Sequence, residues 1–239
     1  LVGDTNIVAE ALAKYVDAYL KDAKKQEPDN HWAASTISGI FCYLQAKDVF
    51  EAFYKRDLAK RLLWNRIVSM DVERHFVSLL KAECGAGYTA KMEGMFQDMD
   101  WSRETMTRYK QAMYQDNNII NNNNSNNSQQ SQQQQLDMDI QVLTTGYWPV
   151  YPQFPNLILP ASLKQPQENF SNYYKSKYQG RRMTWQYALG HAVVRFRPKE
   201  TGPKYDLVVS LCQALVLQQF NIVPDDNTTT ATEELKLPQ

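Results

Sequence analysis

Apolar positions recur every three or four residues through the first half of the chain, the spacing of helix faces laid against a shared core. From Thr5 to Lys25 the stripe is Val8, Leu12, Tyr15, Val16, Tyr19 and Leu20. Polar residues around Pro28 interrupt it, and Trp32 to Gln45 resumes through Ile37, Ile40, Phe41 and Leu44. Lys47 to Leu63, KDVFEAFYKRDLAKRLL, carries Val49, Phe50, Phe53, Tyr54, Leu58, Leu62 and Leu63 at helical spacing, with Lys55, Arg56, Lys60 and Arg61 assigned to the opposite side. Asp48 and Glu51 suit an N-terminal cap there. Ser69 is placed to cap the next helix, whose apolar positions are Val72, Phe76, Leu79 and Leu80. Gly85 ends it, because glycine takes the left-handed turn without steric cost. Thr89 opens a helix through Met92, Met95, Phe96 and Met99. Ser102 opens another through Met106, Tyr109 and Met113. The pattern predicts a helical bundle over residues 1–116 with short loops.

Beyond it the pattern breaks. Asn117 to Gln135 is almost purely Asn, Gln and Ser, which cannot bury apolar surface to offset ordering entropy and is expected to be disordered. Gln141 to Thr145 reads as short and extended, and the Pro-rich run to Pro160 as irregular. Pro166 suits the first turn of a helix carrying Phe170, Tyr173, Tyr174 and Tyr178, stopped at Gly180. Ala192, Val194 and Phe196 alternate with His191, Val193 and Arg195, the period of a strand. Tyr205, Leu207 and Val209 alternate with Asp206 and Val208, and Gly202-Pro203 marks the turn between. Ser210 to Phe220 reads as a helix. Residues 136–222 are therefore expected to form a small α+β domain with a short sheet, and residues 223–239 a flexible tail or the truncated start of another module. The fold class is mainly α plus a small α+β unit.

Composition narrows the functional classes. The 26 basic and 26 acidic residues of this 239-residue chain cancel, which argues against a dedicated nucleic-acid binder. Cys42, Cys84 and Cys212 lie far apart and form no metal-type pair with one another or with His31, His75 or His191, so no metal or cofactor is expected. They read as reduced thiols of an intracellular protein. No apolar run reaches the ~18 residues needed to span a bilayer, and no signal peptide is evident. Catalytic motifs for phosphate cradling, zinc hydrolysis or an activated serine are missing.

Several strings in one order carry a family resemblance. The LAKRLL helix is followed by Ser69-Met-Asp-Val-Glu73, then LLKAECGAGYTAKMEGMFQDM from Leu79, VLTTGYWPVYPQ from Val142, GRRMTWQYALGHAVV from Gly180 and LVVSLCQALVLQQFN from Leu207. The sequence resembles the cullin homology region of the cullins, scaffolds of multisubunit ubiquitin ligases. EGMFQDM, Trp185-Gln186 and Leu189 to His191 look most like the cullin-4 subgroup, while TTGYWP from Thr144 also fits the cullin-3 subgroup. The chain begins with Leu1 inside a helical pattern, so a fragment is expected, without the family's N-terminal repeats or its winged-helix block that accepts Nedd8.

The resemblance implies a non-catalytic scaffold. A RING-box protein would add its N-terminal strand to the sheet at Ala192, Val193, Val194, Arg195, Phe196, Leu207, Val208 and Val209. Arg56, Lys60 and Arg61 would steer an acidic ubiquitin-conjugating enzyme, although Asp57 sits among them. A substrate adaptor would bind the full-length protein, and the expected location is nucleus and cytoplasm. The alternatives are a cysteine-based ubiquitin transferase using Cys84 and a nucleic-acid binder using Arg181 and Arg182. Against the first, no histidine lies near Cys84 in sequence, and buried thiols are usually inert. His191 reads as a partly exposed strand residue. Tyr147, Trp148, Tyr151 and Phe154 read as wedges pinned onto the core rather than a base-stacking platform.

Overall fold

The computed structural model describes residues 2–21, 30–64, 67, 69–123, 138–197 and 202–220. The chain divides into two compact units, residues 1–150 and 151–239. The first contains helices α1 (Val2–Lys21), α2 (Asn30–Cys42), α3 (Lys47–Leu63), α4 (Met70–Cys84) and α5 (Ala86–Asn123). Helix α3 packs on α1 and α5, and α4 packs on α2 and α5.

The buried face of α1 differs from the expected stripe. Ala9, Ala13, Val16 and Leu20 are buried, while Val8 and Tyr15 are exposed. Val16, Tyr19 and Leu20 lie on the buried face as expected, and Ala9 and Ala13 join them in place of Val8 and Tyr15. Neither Asp48 nor Glu51 caps α3: the N-cap is Ala46, which makes no side-chain bond, and Asp48 lies in the first turn. Its charge there favours the positive end of the helix. Ser69 caps α4 as expected by accepting from the Val72 amide, and Gly85 closes it at φ 84°.

Within the bundle, Phe41 meets Phe50 at 4.9 Å, Phe50 stacks on Tyr54 at 5.8 Å, and Tyr54 tilts against Phe76 at 5.4 Å. This run of rings joins α2, α3 and α4. Beside it lies the largest departure from the expected pattern. Arg61 is fully buried. Its Nε and Nη2 donate to the two carboxylate oxygens of Glu73 at 2.6 and 2.9 Å, and its Nη1 donates to Asp17. Tyr54 also donates to Glu73, at 3.3 Å. Burial opposes the Arg61 charge, but Glu73 outweighs it and holds the guanidinium more firmly protonated than usual. Burial would raise the Asp17 carboxyl, yet bonds from Lys21 and Arg61 hold it below its ordinary value. Phe50, Tyr54, Leu58 and Arg61 fall at i, i+4, i+8 and i+11, so the arginine continues the core-facing stripe.

Expected as two helices, α5 is one, 38 residues long. Ser102 does not open a new helix; its hydroxyl accepts from the Val142 amide at 2.7 Å and donates to the Val142 carbonyl at 3.0 Å. No proline interrupts the segment, so nothing stops propagation. The helix also runs through residues 117–123, the first part of the tract expected to be disordered, because adding residues to an existing helix avoids the cost of nucleation. The rest of that tract lies outside the described residues, as does the 223–239 tail.

The extended strap 138–150 returns along α5. Asp98 is 1% exposed and accepts from the Thr144 amide, the Thr144 hydroxyl and the Trp148 indole at 2.6, 2.7 and 2.7 Å. A Cβ on Gly94 would meet the Tyr147 ring at 2.5 Å, so only glycine lets that ring lie on the helix. Gly94, Asp98 and Ser102 thus form one stripe at i, i+4 and i+8 that holds the strap.

In the second unit, Tyr151 is half-buried and Phe154 39% exposed. Helix α6 (Ala161–Lys177) begins after Pro160 as N-cap, so Pro166 lies inside it and not in its first turn. The bond that Pro166 cannot make leaves the carbonyl of exposed Ser162 to solvent. Phe170 and Tyr174 are buried, stacked at 6.0 Å, and Trp185 meets Phe170 edge-on at 6.2 Å. A 3-10 turn at Tyr187–Leu189 leads into strands β1 (His191–Phe196) and β2 (Tyr205–Ser210), followed by α7 (Leu211–Gln219).

Arg61→Ala should destabilise the chain by about 3–5 kcal/mol, since it strands Glu73 as a buried unpaired charge. Arg61→Met combined with Glu73→Leu should recover most of that loss. Denaturant unfolding of the three chains checks both, and a loss below about 1 kcal/mol for Arg61→Ala would remove the network from the account. Asp98→Ala leaves three donors without their acceptor and should cost about 3 kcal/mol or more in the same measurement.

Candidate functional site

The two strands form an antiparallel pair and the sheet has no third strand among the described residues. Ala192 faces Val209, Val193 faces Val208, Val194 faces Leu207, Arg195 faces Asp206 and Phe196 faces Tyr205. Opposed residues share a face, so one side is apolar throughout: Ala192, Val194, Phe196, Tyr205, Leu207 and Val209. Helix α7 packs against both strands. It half-covers Ala192, Val194 and Val209, while Phe196 and Tyr205 stay 50% and 51% exposed. On the other side Val193 and Val208 are 63% and 73% exposed, between the His191–Ser210 pair and the Arg195–Asp206 pair.

Local sequence fixes this geometry. Ser210 ends β2 and caps α7 through a reciprocal capping box with Gln213. The Leu211 amide donates to the Gly190 carbonyl at 2.8 Å, tying the start of α7 to the residue before β1. Arg195 makes two parallel bonds to Asp206, at 2.8 and 3.1 Å, which lock the register near the open end. The residues expected to bind a partner strand are therefore together, with backbone edges outside the pair. Tyr205, not singled out in the sequence, belongs with them as the cross-strand partner of Phe196.

The expected basic stripe on α3 is smaller than its sequence. Arg56 and Lys60 are exposed, with Asp57 3.6 and 3.5 Å from them, and Arg56 lies over the Phe53 ring. Arg61 does not belong to that surface: its charge is consumed inside the core by Glu73 and Asp17. The helical period carried the signal, because Arg61 follows Leu58 by three residues on the buried face.

Cys84 ends α4, half-buried. The exposed Cys42 thiol is held above its usual range, first by its bond with Glu83, the opposite of what a nucleophile needs. Arg181 lies 5.0 Å over the Tyr178 ring and donates to the Tyr174 hydroxyl, which is packing. An open cleft of about 390 Å³ between residues 157–159 and α6 is lined by Trp185, Tyr187, Lys164 and Glu168, with no Cys or His. Among the described residues no His, Cys, Asp and Glu cluster could hold a metal, and no helix is long and apolar enough to cross a membrane.

Comparison with known proteins meets this arrangement in both units. The family described as the Cullin alpha solenoid domain matches residues 2–106, and the Cullin alpha+beta domain matches residues 142–237. Cullin-4A of Homo sapiens is 41% identical over 218 residues, covering 90% of this chain and 26% of the relative. Cullin-4 of Dictyostelium discoideum is 36% identical over 97% of this chain and 28% of its own length. Cullin-3A of Arabidopsis thaliana is 37% identical over 89% of this chain and 27% of its length. The chain thus spans about a quarter of the length of the curated relatives it matches. Two cullin domain families follow one another in order along most of the sequence, helices α1 to α4 and the start of α5 lie under the first, α6, α7 and the strand pair lie under the second, and this protein belongs to the cullin family.

Proposed function

We propose that this chain acts as a non-catalytic scaffold segment of a cullin-RING ubiquitin ligase, with the β1–β2 hairpin as the seat of a RING-box protein. The observation that carries the reading is a sheet of two strands with apolar residues exposed on both faces and, among the described residues, no further strand along its edges. Such edges are ordinarily covered or guarded by charge. A strand added by a partner would satisfy the backbone and cover Val193, Phe196, Tyr205 and Val208. The chemistry would then reside in the partners: the RING subunit engages a ubiquitin-conjugating enzyme, and the scaffold supplies proximity and orientation. Exposed Arg56 and Lys60 support a steering role toward an acidic conjugating enzyme, without Arg61. A substrate adaptor belongs to the full-length protein, and the assembly is expected in the nucleus and cytoplasm.

Co-expression of residues 1–239 with a RING-box protein should give a stoichiometric complex on affinity capture and size-exclusion chromatography. Val194→Pro and Val208→Pro should abolish it while far-ultraviolet circular dichroism shows the helices intact. Folded chain that elutes alone would count against the reading. In the assembled ligase, Arg56→Glu with Lys60→Glu should slow association of the conjugating enzyme by about tenfold at low salt and flatten its salt dependence, as expected for steering. An unchanged rate in stopped-flow mixing would remove the steering role.

A further inference from the structure

We infer that the free edge of β2 pairs with the β2 edge of a second copy of this chain, forming a four-stranded antiparallel sheet about a two-fold axis at Val208. The openness of that strand points to it. In β1, Ala192 and Val194 are half-buried, whereas β2 exposes every residue from Tyr205 to Val208. On the face that α7 covers, the cover falls off toward the turn, with Phe196 50%, Tyr205 51% and Leu207 39% exposed, so most of the β2 side of that face is open. Two strands alone bury too little to be stable as a sheet, and a second hairpin doubles the pairing.

Charge and register select the axis. In a symmetric antiparallel pairing, opposed residues must share a face, so the axis passes through a residue, and the axes that pair three or more residues of β2 lie at Asp206, Leu207, Val208 and Val209. An axis at Asp206 sets two carboxylates against each other, which is destabilising. An axis at Leu207 sets the apolar Val208 against the partner copy's Asp206. An axis at Val208 pairs the two Val208 side chains, sets Leu207 against Val209 of the other copy, and sets Asp206 against Ser210. An axis at Val209 pairs three residues and sets Val208 against Ser210, whereas the axis at Val208 pairs five, sets the most exposed large apolar residue of the hairpin, at 73%, against its own copy and leaves each carboxylate beside a hydroxyl. The equivalent pairings of β1 set Arg195 against His191, against Val193 or against itself, so β1 lacks such a match. The interface is isologous and closed, a dimer and not a fibre. It uses β2 alone and does not depend on a RING-box strand binding the hairpin.

Sedimentation velocity of residues 1–239 over a concentration series tests it. The expected result is a concentration-dependent shift from the 27.7 kDa chain to twice that mass. Val208→Lys should lose the dimer by facing two ammonium groups across the axis. An equimolar mixture of Val208→Lys and Val208→Glu should restore it, which damage to the fold could not do. Val193→Lys, on the same face but the other strand, should leave it intact. The inference is overturned by a monomer at every concentration, by a dimer that tolerates Val208→Lys, or by failure of the mixed charge pair to reassociate.

Discussion

The bundle is organised around a guanidinium that water cannot reach. Arg61 carries a full charge into a fully buried site against the Tyr54 ring, and that charge is tolerable only while carboxylates from two other helices face it. The planar fork sets direction as well as attraction. Its Nε and Nη2 edge must meet both oxygens of Glu73, and Nη1 must meet Asp17, so α1, α3 and α4 can slide past one another very little. An apolar replacement of the same volume could match it in stability, but hydrocarbon surfaces accept many registers. The ring run from Phe41 to Phe76 packs against this fixed frame and supplies the apolar burial.

Most helices were legible because their apolar residues repeat cleanly. The two strands were legible because alternation from His191 to Phe196 and from Tyr205 to Val209 has no helical reading. Failures occurred where a polar residue took a tertiary partner. Ser102 looks like a cap in isolation, yet its hydroxyl is occupied by Val142, forty residues away in sequence. Arg61 looks like surface by composition, and only its position on the Phe50–Tyr54–Leu58 stripe betrays the core. On α1, residue size misled: Ala9 and Ala13 carry little hydrophobic signal but are fully buried. At the hairpin the strand residues could be named from sequence, whereas their exposure on both faces could not. That exposure depends on how much of the sheet α7 reaches, a property of packing.

The hairpin and the core obey opposite rules. In the bundle core Arg61, Glu73 and Asp98 each meet specific donors or acceptors, and the result is a frame with one geometry. Among the described residues of the hairpin the strong side-chain lock is Arg195 with Asp206, placed at the far end, while the centre offers exposed valines. Such a surface suits recognition by main-chain pairing, whose specificity comes from register and facing side chains rather than from a shaped pocket. It also has no need of a tuned acid, base or nucleophile.

The stripe of Gly94, Asp98 and Ser102 has a consequence for how this gene can vary. The strap finds its own seat on α5 through bonds made after the Asn- and Gln-rich tract, so its position does not depend on what joins it to the end of the helix. Loop-closure entropy rises only logarithmically, by about 0.6 kcal/mol for each doubling of length. The bonds that seat the strap therefore place little constraint on the length of the connection between α5 and the strap. The tract records a tolerance of the clamp rather than a demand of the protein.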